Sequence, residues 1–139
     1  AFETLAGLPD TRLAARSGLY RSRPFGPVEQ PDFINAVAGL LTRLDPHRLL
    51  ASLLEIERVF GRRRDHQKWG PRELDLDLLL HGGLRIDDKD LSLPHPGMHE
   101  RNFVLYPLAE IAPSLRLGDD TIQRIADRLG SAGLVRIQD

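Results

Sequence analysis

Cysteine is absent from this 139-residue chain, and methionine and tryptophan occur once each. Without cysteine, neither a disulfide nor a thiolate zinc site can form, although this does not fix a compartment. No apolar stretch is long enough to span a membrane and no signal-peptide pattern is visible, so we expect a cytoplasmic protein without a membrane partner. The net charge of −1 gives no general attraction to nucleic acid, which we do not expect as a partner.

The size and composition that remain are those of one soluble globular domain, which we expect to cover residues 1–139. Almost all of its basic residues are arginine, with lysine only at Lys68 and Lys89. Arginine suits bidentate phosphate contacts, although genome composition explains such a bias equally well. The first residue is Ala1 rather than Met, and we expect that the chain starts inside a longer gene product.

Hydrophobic periodicity and turn residues predict helices interleaved with strands. The clearest helix covers 46–60, where Asp45 can cap the first turn, Pro46 suits the first helical position and Gly61 follows the end. A second amphipathic helix covers 122–129. The other predicted elements are a helical segment over 1–8, strands over 13–20, 33–41, 74–80 and 84–86, loops over 21–31 and 62–72, an irregular stretch over 93–101 and a mixed one over 103–111. This interleaving predicts an α+β fold with helices on a mostly antiparallel sheet.

Asp75 and Asp77 are the most informative pair of residues in the sequence. They lie two residues apart in a predicted strand, so both carboxylates project from one face. Mg²⁺ would offset their mutual repulsion if substrate phosphates completed its coordination. A solvated strand face with two acids is the alternative, because the D-x-D pattern carries little information by itself. The basic residues upstream favour a nucleotide site; they are Arg62, Arg63, Arg64, Lys68 and Arg72.

Three blocks of sequence resemble the 6-hydroxymethyl-7,8-dihydropterin pyrophosphokinases of folate biosynthesis. The first block is Y-R-S-R-P-F-G at 20–26 with Q-P-D-F-I-N at 30–35. The second is I-E at 56–57 with G-R-R-R at 61–64 and K-W-G-P-R-E-L-D-L-D-L-L at 68–79. The third is P-H at 94–95 with Met98, Arg101, Phe103, P-L at 107–108 and E-I-A-P at 110–113. The occurrence of all three in the same order makes the resemblance specific.

The resemblance implies a ferredoxin-like α+β fold and transfer of a pyrophosphoryl group from MgATP to the hydroxymethyl group of the reduced pterin, with release of AMP. Two Mg²⁺ ions would be held by Asp75 and Asp77. Members of this family begin with a strand that carries a Gly-Ser-Asn turn. This chain lacks that strand, so we expect an N-terminally truncated domain. The sequence does not indicate the oligomeric state or a fusion to other folate enzymes.

The resemblance also implies roles for individual residues. Phe33 and Phe103 would stack on the pterin ring, and Asn35 would match its amide-like edge. Taken alone, phenylalanines such as these are more often core residues, and a histidine between prolines such as His95 usually belongs to a surface loop. The remaining expected contacts are Ser22, Pro24 and Phe25 for the pterin; Glu57, Arg64, Trp69, Leu78, Ser92, His95 and Arg101 for ATP; and Arg62 and Arg72, with Asp75 and Asp77, for catalysis. We expect the loop 62–72 to close over the triphosphate.

Two other functional classes are compatible with such a fold. A ferredoxin-like module could bind a ligand without catalysis, although it would have no need for Asp75, Asp77 and the arginines together. An RNA-binding sheet is the other option, but the chain lacks a basic, aromatic-rich sheet pattern. Formation of AMP rather than ADP would distinguish the enzyme from both.

Overall fold

The computed structural model describes residues 2–22, 33–64 and 74–138, apart from the side chains of 62–64 and 138. These residues divide into two compact units. The first unit consists mainly of residues 3–12 and 42–95, and the second of residues 13–41 and 96–139. A short helix, α1 (Phe2–Ala6), opens the described chain, as predicted.

The long helix α2 (Pro46–Arg64) organises the first unit. The carboxylate of Asp45 accepts a hydrogen bond from the backbone N–H of Arg48 at 2.9 Å, as expected of a cap. The buried face of α2 includes Leu49, Leu53 and Ile56. The predicted helix is confirmed but continues beyond Gly61, because one glycine costs only about 1 kcal/mol relative to alanine and need not end a long helix. The prediction of a loop is therefore wrong for 62–64, and residues 65–73 lie outside the described structure.

The segment 74–80 forms no strand within the described chain, so this prediction is wrong. Its backbone groups have other partners: the N–H of Leu76 donates to the carboxylate of Glu57 at 2.5 Å, and the carbonyl of Leu79 accepts from the N–H of His95 at 2.8 Å. A strand requires a neighbouring strand for its ladder, and a side chain supplies the bond to Leu76 instead. The short strand predicted over 84–86 is found one step later, in the hairpin of β5 (Ile86–Asp87) and β6 (Ser92–Leu93).

Each of the two longer predicted strands is divided into two. The segment 13–20 corresponds to β1 (Thr11–Arg16) and β2 (Leu19–Ser22), and 33–41 corresponds to β3 (Phe33–Asn35) and β4 (Ala38–Thr42). Strand β1 pairs with β4, whereas β2 pairs antiparallel with β3 and with β9 (Leu134–Gln138). The prediction missed β9.

The division occurs where Ser17 meets Val37. The hydroxyl of Ser17 accepts a hydrogen bond from the backbone N–H of Val37 at 2.9 Å and donates to the carbonyl of Gly18 at 2.8 Å. The backbone N–H of Ser17 also donates to the carbonyl of Val37 at 2.8 Å. A buried side-chain hydroxyl thus takes part in the pairing here, and the strands change sheets on either side of it.

The helices of the second unit are α3 (Asn102–Ile111) and α4 (Ile122–Leu129), with the hairpin of β7 (Arg116–Leu117) and β8 (Asp120–Thr121) between them. Helix α3 packs on β2, β3 and α4, and the stretch predicted as mixed is therefore helical. The core of this unit contains Met98, Leu105, Leu108, Ile122 and Ala126. Helices on antiparallel strands confirm the predicted α+β class. None of the described helices is long and apolar enough to cross a membrane.

Candidate active site

Asp75 and Asp77 are exposed on one side of the segment 74–80, while Leu74, Leu76 and Leu78 on the other side are half-buried. The predicted alternation of the two faces is therefore present even though the ladder is not. Leu76, between the two acids, is bonded to α2 through Glu57. This bond fixes the backbone that carries both carboxylates. The sequence had indicated Glu57 only as an ATP contact, because a bond between residues so far apart has no local signal.

The donor set of Asp75 and Asp77 fits Mg²⁺, which prefers carboxylate oxygens and keeps several water or phosphate ligands. Among the described residues, no group of three or more His, Asp or Glu side chains could hold a metal ion. With only these two ligands, the ion would keep positions for water or nucleotide phosphates.

His95 carries an unusual polar atom. Its Nδ1 is buried and has no hydrogen-bond partner within the described part of the chain. Burying such an atom without a partner costs about 1–3 kcal/mol, so a ligand that bonds to it would remove this cost. His95 lies in the first unit with Glu57, Leu78 and Ser92, and the last two are half-buried.

Three of the predicted pterin contacts, Ser22, Phe33 and Asn35, lie in the second unit on the three-stranded sheet of β3, β2 and β9. In the β2–β3 register, Tyr20 lies opposite Asn35 and Ser22 lies opposite Phe33. Directly opposed side chains project from the same face of a sheet. The hydroxyl of Tyr20 bonds to Glu110 on α3, so this is the face that α3 covers. Asn35 and Phe33 therefore face α3.

Phe103 lies two helical turns before Glu110 on α3, which places both side chains on the same side of the helix. The structure thus brings Phe103 to the face of the sheet that carries Phe33 and Asn35. Both phenylalanines are only half-buried, which is more suitable for ligand contact than for a core position. Arg101 is exposed at the start of α3.

Several other predicted contacts lie wholly or partly outside the described residues. Arg62 and Arg64 have helical backbones at the end of α2, but their side chains lie outside the described structure, as do Pro24, Phe25, Trp69 and Arg72. The expected closure of the loop over the triphosphate concerns the same region and stays a prediction.

Sequence reasoning missed the role of Glu110. Its carboxylate accepts hydrogen bonds from the backbone N–H of Gly18 at 3.0 Å, the hydroxyl of Tyr20 at 2.7 Å, and Nε and Nη2 of Arg136 at 3.1 and 3.2 Å. The hydrogen bond from Arg136, chiefly, lowers the pKa of Glu110 to about 2. Burial, and then the bond to Glu110, raise the pKa of Tyr20. Glu110 belongs to the E-I-A-P block, but its partner Arg136 could not be identified because β9 was not predicted.

Comparison with known proteins identifies the family to which the chain is similar. A family model described as 7,8-dihydro-6-hydroxymethylpterin-pyrophosphokinase (HPPK) matches residues 1–113. A 2-amino-4-hydroxy-6-hydroxymethyldihydropteridine pyrophosphokinase of Methylorubrum extorquens is 44% identical over 138 residues, which are 99% of this chain and 87% of that protein. The protein of the same name from Pseudomonas aeruginosa is 53% identical over 119 residues, or 86% of this chain and 73% of that one. The folate synthesis bifunctional protein, mitochondrial, of Arabidopsis thaliana is 43% identical over 106 residues, or 76% of this chain and 19% of that protein.

The fold, the acidic pair and these relatives define an enzyme of the diphosphotransferase class. More specifically, the chain belongs to the 7,8-dihydro-6-hydroxymethylpterin-pyrophosphokinase family. The resemblance stated from the sequence is thereby confirmed, as are the ferredoxin-like α+β fold and pyrophosphokinase activity in folate biosynthesis. The two non-catalytic alternatives are set aside.

Proposed function

We propose that this chain transfers the β,γ-diphosphoryl group of ATP to the hydroxymethyl oxygen of 6-hydroxymethyl-7,8-dihydropterin. The alcohol oxygen forms a bond to the β-phosphorus of ATP. At the same time, the β-phosphorus loses its bond to the oxygen that links it to the α-phosphorus. AMP leaves with this bridging oxygen. The alcohol proton is released to solvent. The observation that carries the proposal is the pair of exposed carboxylates at Asp75 and Asp77 on a backbone fixed by Glu57.

Asp75 and Asp77 would hold the Mg²⁺ that accompanies ATP, and we infer two ions. When bound, Mg²⁺ supplies positive charge that stabilises the triphosphate oxygens during transfer. The protein itself holds these acids in place, since the bond from Leu76 to Glu57 restrains the backbone between them. Because both side chains are exposed, substrate oxygens would have access to the metal.

The other ATP contacts follow from polarity and position. The buried Nδ1 of His95, when protonated, would donate to a phosphate oxygen and so gain the partner that it lacks in the described chain. The exposed guanidinium of Arg101 suits another phosphate oxygen. Leu78 and Ser92 would lie on the adenosine side. Arg62, Arg64, Trp69 and Arg72 complete the proposed set on the strength of the family pattern alone.

The pterin would stack on Phe33 and Phe103, which α3 and β3 bring to the same side of the sheet. Asn35 has both a donor and an acceptor for the amide-like edge of the ring. Ser22 lies directly opposite Phe33 in the register and would contribute to the same edge. Pro24 and Phe25 are proposed from the family pattern.

The replacement Asp77→Asn tests the metal assignment. It keeps the size of the side chain but removes the charge that offsets the cation, and we expect turnover to fall by about 10²–10³-fold or more, the loss typical of one electrostatic contact in a transition state. AMP formation should be measured over a range of Mg²⁺ concentrations. The unfolding midpoint should be unchanged, because Asp77 is exposed.

Asp90→Asn is the matched control, since Asp90 is another exposed acid of the first unit and lies outside the proposed site. It should leave turnover within about twofold of the starting protein, as expected for a surface change. An Asp77→Asn protein with a near-normal rate at saturating Mg²⁺ would contradict the metal assignment.

A further inference from the structure

Helix α3 carries two residues on its sheet-facing side, Phe103 and Glu110. Glu110 accepts a hydrogen bond from the hydroxyl of Tyr20 on β2 at 2.7 Å and another from the backbone N–H of Gly18, just before β2, at 3.0 Å. Tyr20 in turn lies opposite Asn35 in the β2–β3 register. A short path of direct contacts therefore joins the helix that carries Phe103 to the strand that carries Phe33 and Asn35.

Strand β9 adds a third connection. Arg136 on β9 pairs with Tyr20 along the edge of β2 that β3 does not occupy. Its guanidinium donates to Glu110 from Nε at 3.1 Å and from Nη2 at 3.2 Å. Gly18 leaves the space for this arrangement, because a Cβ at that position would lie 2.6 Å from Nη2 of Arg136. One carboxylate thus ties α3 to both β2 and β9.

On the opposite face of this sheet, Ile34 and Val135 are 51% and 52% exposed. Helix α3 lies on the inner face, where Tyr20, Glu110 and Arg136 meet.

We propose that Glu110, Tyr20 and Arg136 form a positioning cluster for the pterin. The cluster sets the distance and tilt of α3 relative to β3, and so the width of the slot between Phe103 and Phe33. This inference rests on the proposed function, which places the pterin between these two rings. Stacking contacts are sensitive to such a width, because a gap of about 0.5–1 Å forfeits about a quarter to a half of the attraction between two atoms.

Two replacements test the cluster without touching the slot. Tyr20→Phe removes only the hydroxyl that bonds to Glu110. Gly18→Ala removes no polar group but forces the guanidinium of Arg136 away from its place. For both, we expect KM for 6-hydroxymethyl-7,8-dihydropterin to rise about three- to tenfold, with kcat and the KM for MgATP within about twofold of the starting protein, since a loss of stacking acts on one ligand.

Direct binding should show the same selectivity. The dissociation constant of 6-hydroxymethylpterin should be measured by calorimetry with Mg²⁺ and α,β-methylene-ATP, which cannot release AMP. Thr121→Ala is the matched control, because it removes a helix cap in the same unit: the hydroxyl of Thr121 accepts from the N–H of Arg124 at 3.2 Å. It should lower the unfolding midpoint and leave the pterin dissociation constant unchanged.

Phe33→Ala is measured in parallel to separate the two hypotheses. If Phe33→Ala weakens pterin binding while Tyr20→Phe and Gly18→Ala lower only the unfolding midpoint, the cluster is merely structural and this inference is refuted. If Phe33→Ala itself leaves pterin binding unchanged, the proposed pterin slot is wrong. A parallel rise in the KM values of both substrates for Tyr20→Phe would also overturn the positioning role.

Discussion

The ion pair between Glu110 and Arg136 should make the stability of this enzyme depend on acid pH. The pKa of Glu110 falls from 4.5 to about 2 on folding, mainly through the hydrogen bond from Arg136 and despite opposing desolvation. A depressed pKa stabilises the folded state fully above the unfolded value, and this stabilisation is lost as the pH falls from 4.5 towards 2.

A pKa shift of this size corresponds to at most about 3 kcal/mol. The side chain of Glu110 is 29% exposed, and solvent screening reduces the figure to about 1–2 kcal/mol. Glu110→Gln keeps one oxygen, which can accept from Tyr20, but it replaces Oε2, the acceptor of the Gly18 N–H, by an amide NH₂ group and removes the charge that Arg136 needs. We therefore expect this variant to be about 1–2 kcal/mol less stable than the starting protein at pH 7.

Urea unfolding between pH 7 and pH 2.5 measures the effect. The difference in free energy of unfolding between the two proteins should shrink below pH 4.5 and fall to roughly a quarter of its pH 7 value at pH 2.5, because the pKa in the folded state is about 2. Glu100→Gln is the control, since the side chain of Glu100 is 77% exposed, and it should give nearly the same curve as the starting protein. A difference that stays constant from pH 7 to pH 2.5 would show that packing, and not charge, is responsible.

Two further predictions concern the sheet junction and the core of the second unit. Ser17→Ala should lower the free energy of unfolding by about 1–3 kcal/mol, because it leaves the buried N–H of Val37 without its acceptor at 2.9 Å. A decrease below about 0.5 kcal/mol in urea unfolding would contradict the importance of this bond. Leu105→Ala should lower the free energy of unfolding by about 2–5 kcal/mol, since Leu105 is 0% exposed and its truncation leaves a cavity. An unchanged midpoint of thermal unfolding would show that α3 is not packed as described.

Helices α2 and α4 could be predicted because their signals are local, whereas α3 was expected only as a mixed stretch. Asp45, Pro46 and the apolar spacing after them marked α2, and a similar pattern marked α4 over Ile122–Leu129. The end of α2 was placed too early because Gly61 suggested a stop. A glycine ends a helix when it adopts a positive φ, and Gly61 does not.

The strands were less predictable because their partners are distant in sequence. Nothing near Ser17 indicates that its hydroxyl bonds to Val37, so the division of two strands was missed. The segment with Asp75 and Asp77 has the alternation of a strand without its ladder, and only the three-dimensional arrangement reveals the bond between Leu76 and Glu57.

The candidate site shows the same limit. Alternation placed Asp75 and Asp77 on one face, and this was confirmed from the burial of their neighbours. The residues that support the site were missed, since Glu110 and Arg136 meet only after β9 has joined the sheet. Local chemistry was visible in the sequence, whereas the contacts that fix its geometry were not.

The identity of the nucleotide product tests the central proposal most directly. The enzyme should be incubated with 6-hydroxymethyl-7,8-dihydropterin, Mg²⁺ and ATP labelled at the β-phosphate, and the products separated by ion-exchange chromatography. We expect one AMP for each pterin consumed, with the label in the pterin diphosphate. Release of ADP with a singly phosphorylated pterin, or of AMP with free pyrophosphate and unchanged pterin, would contradict diphosphoryl transfer by this chain.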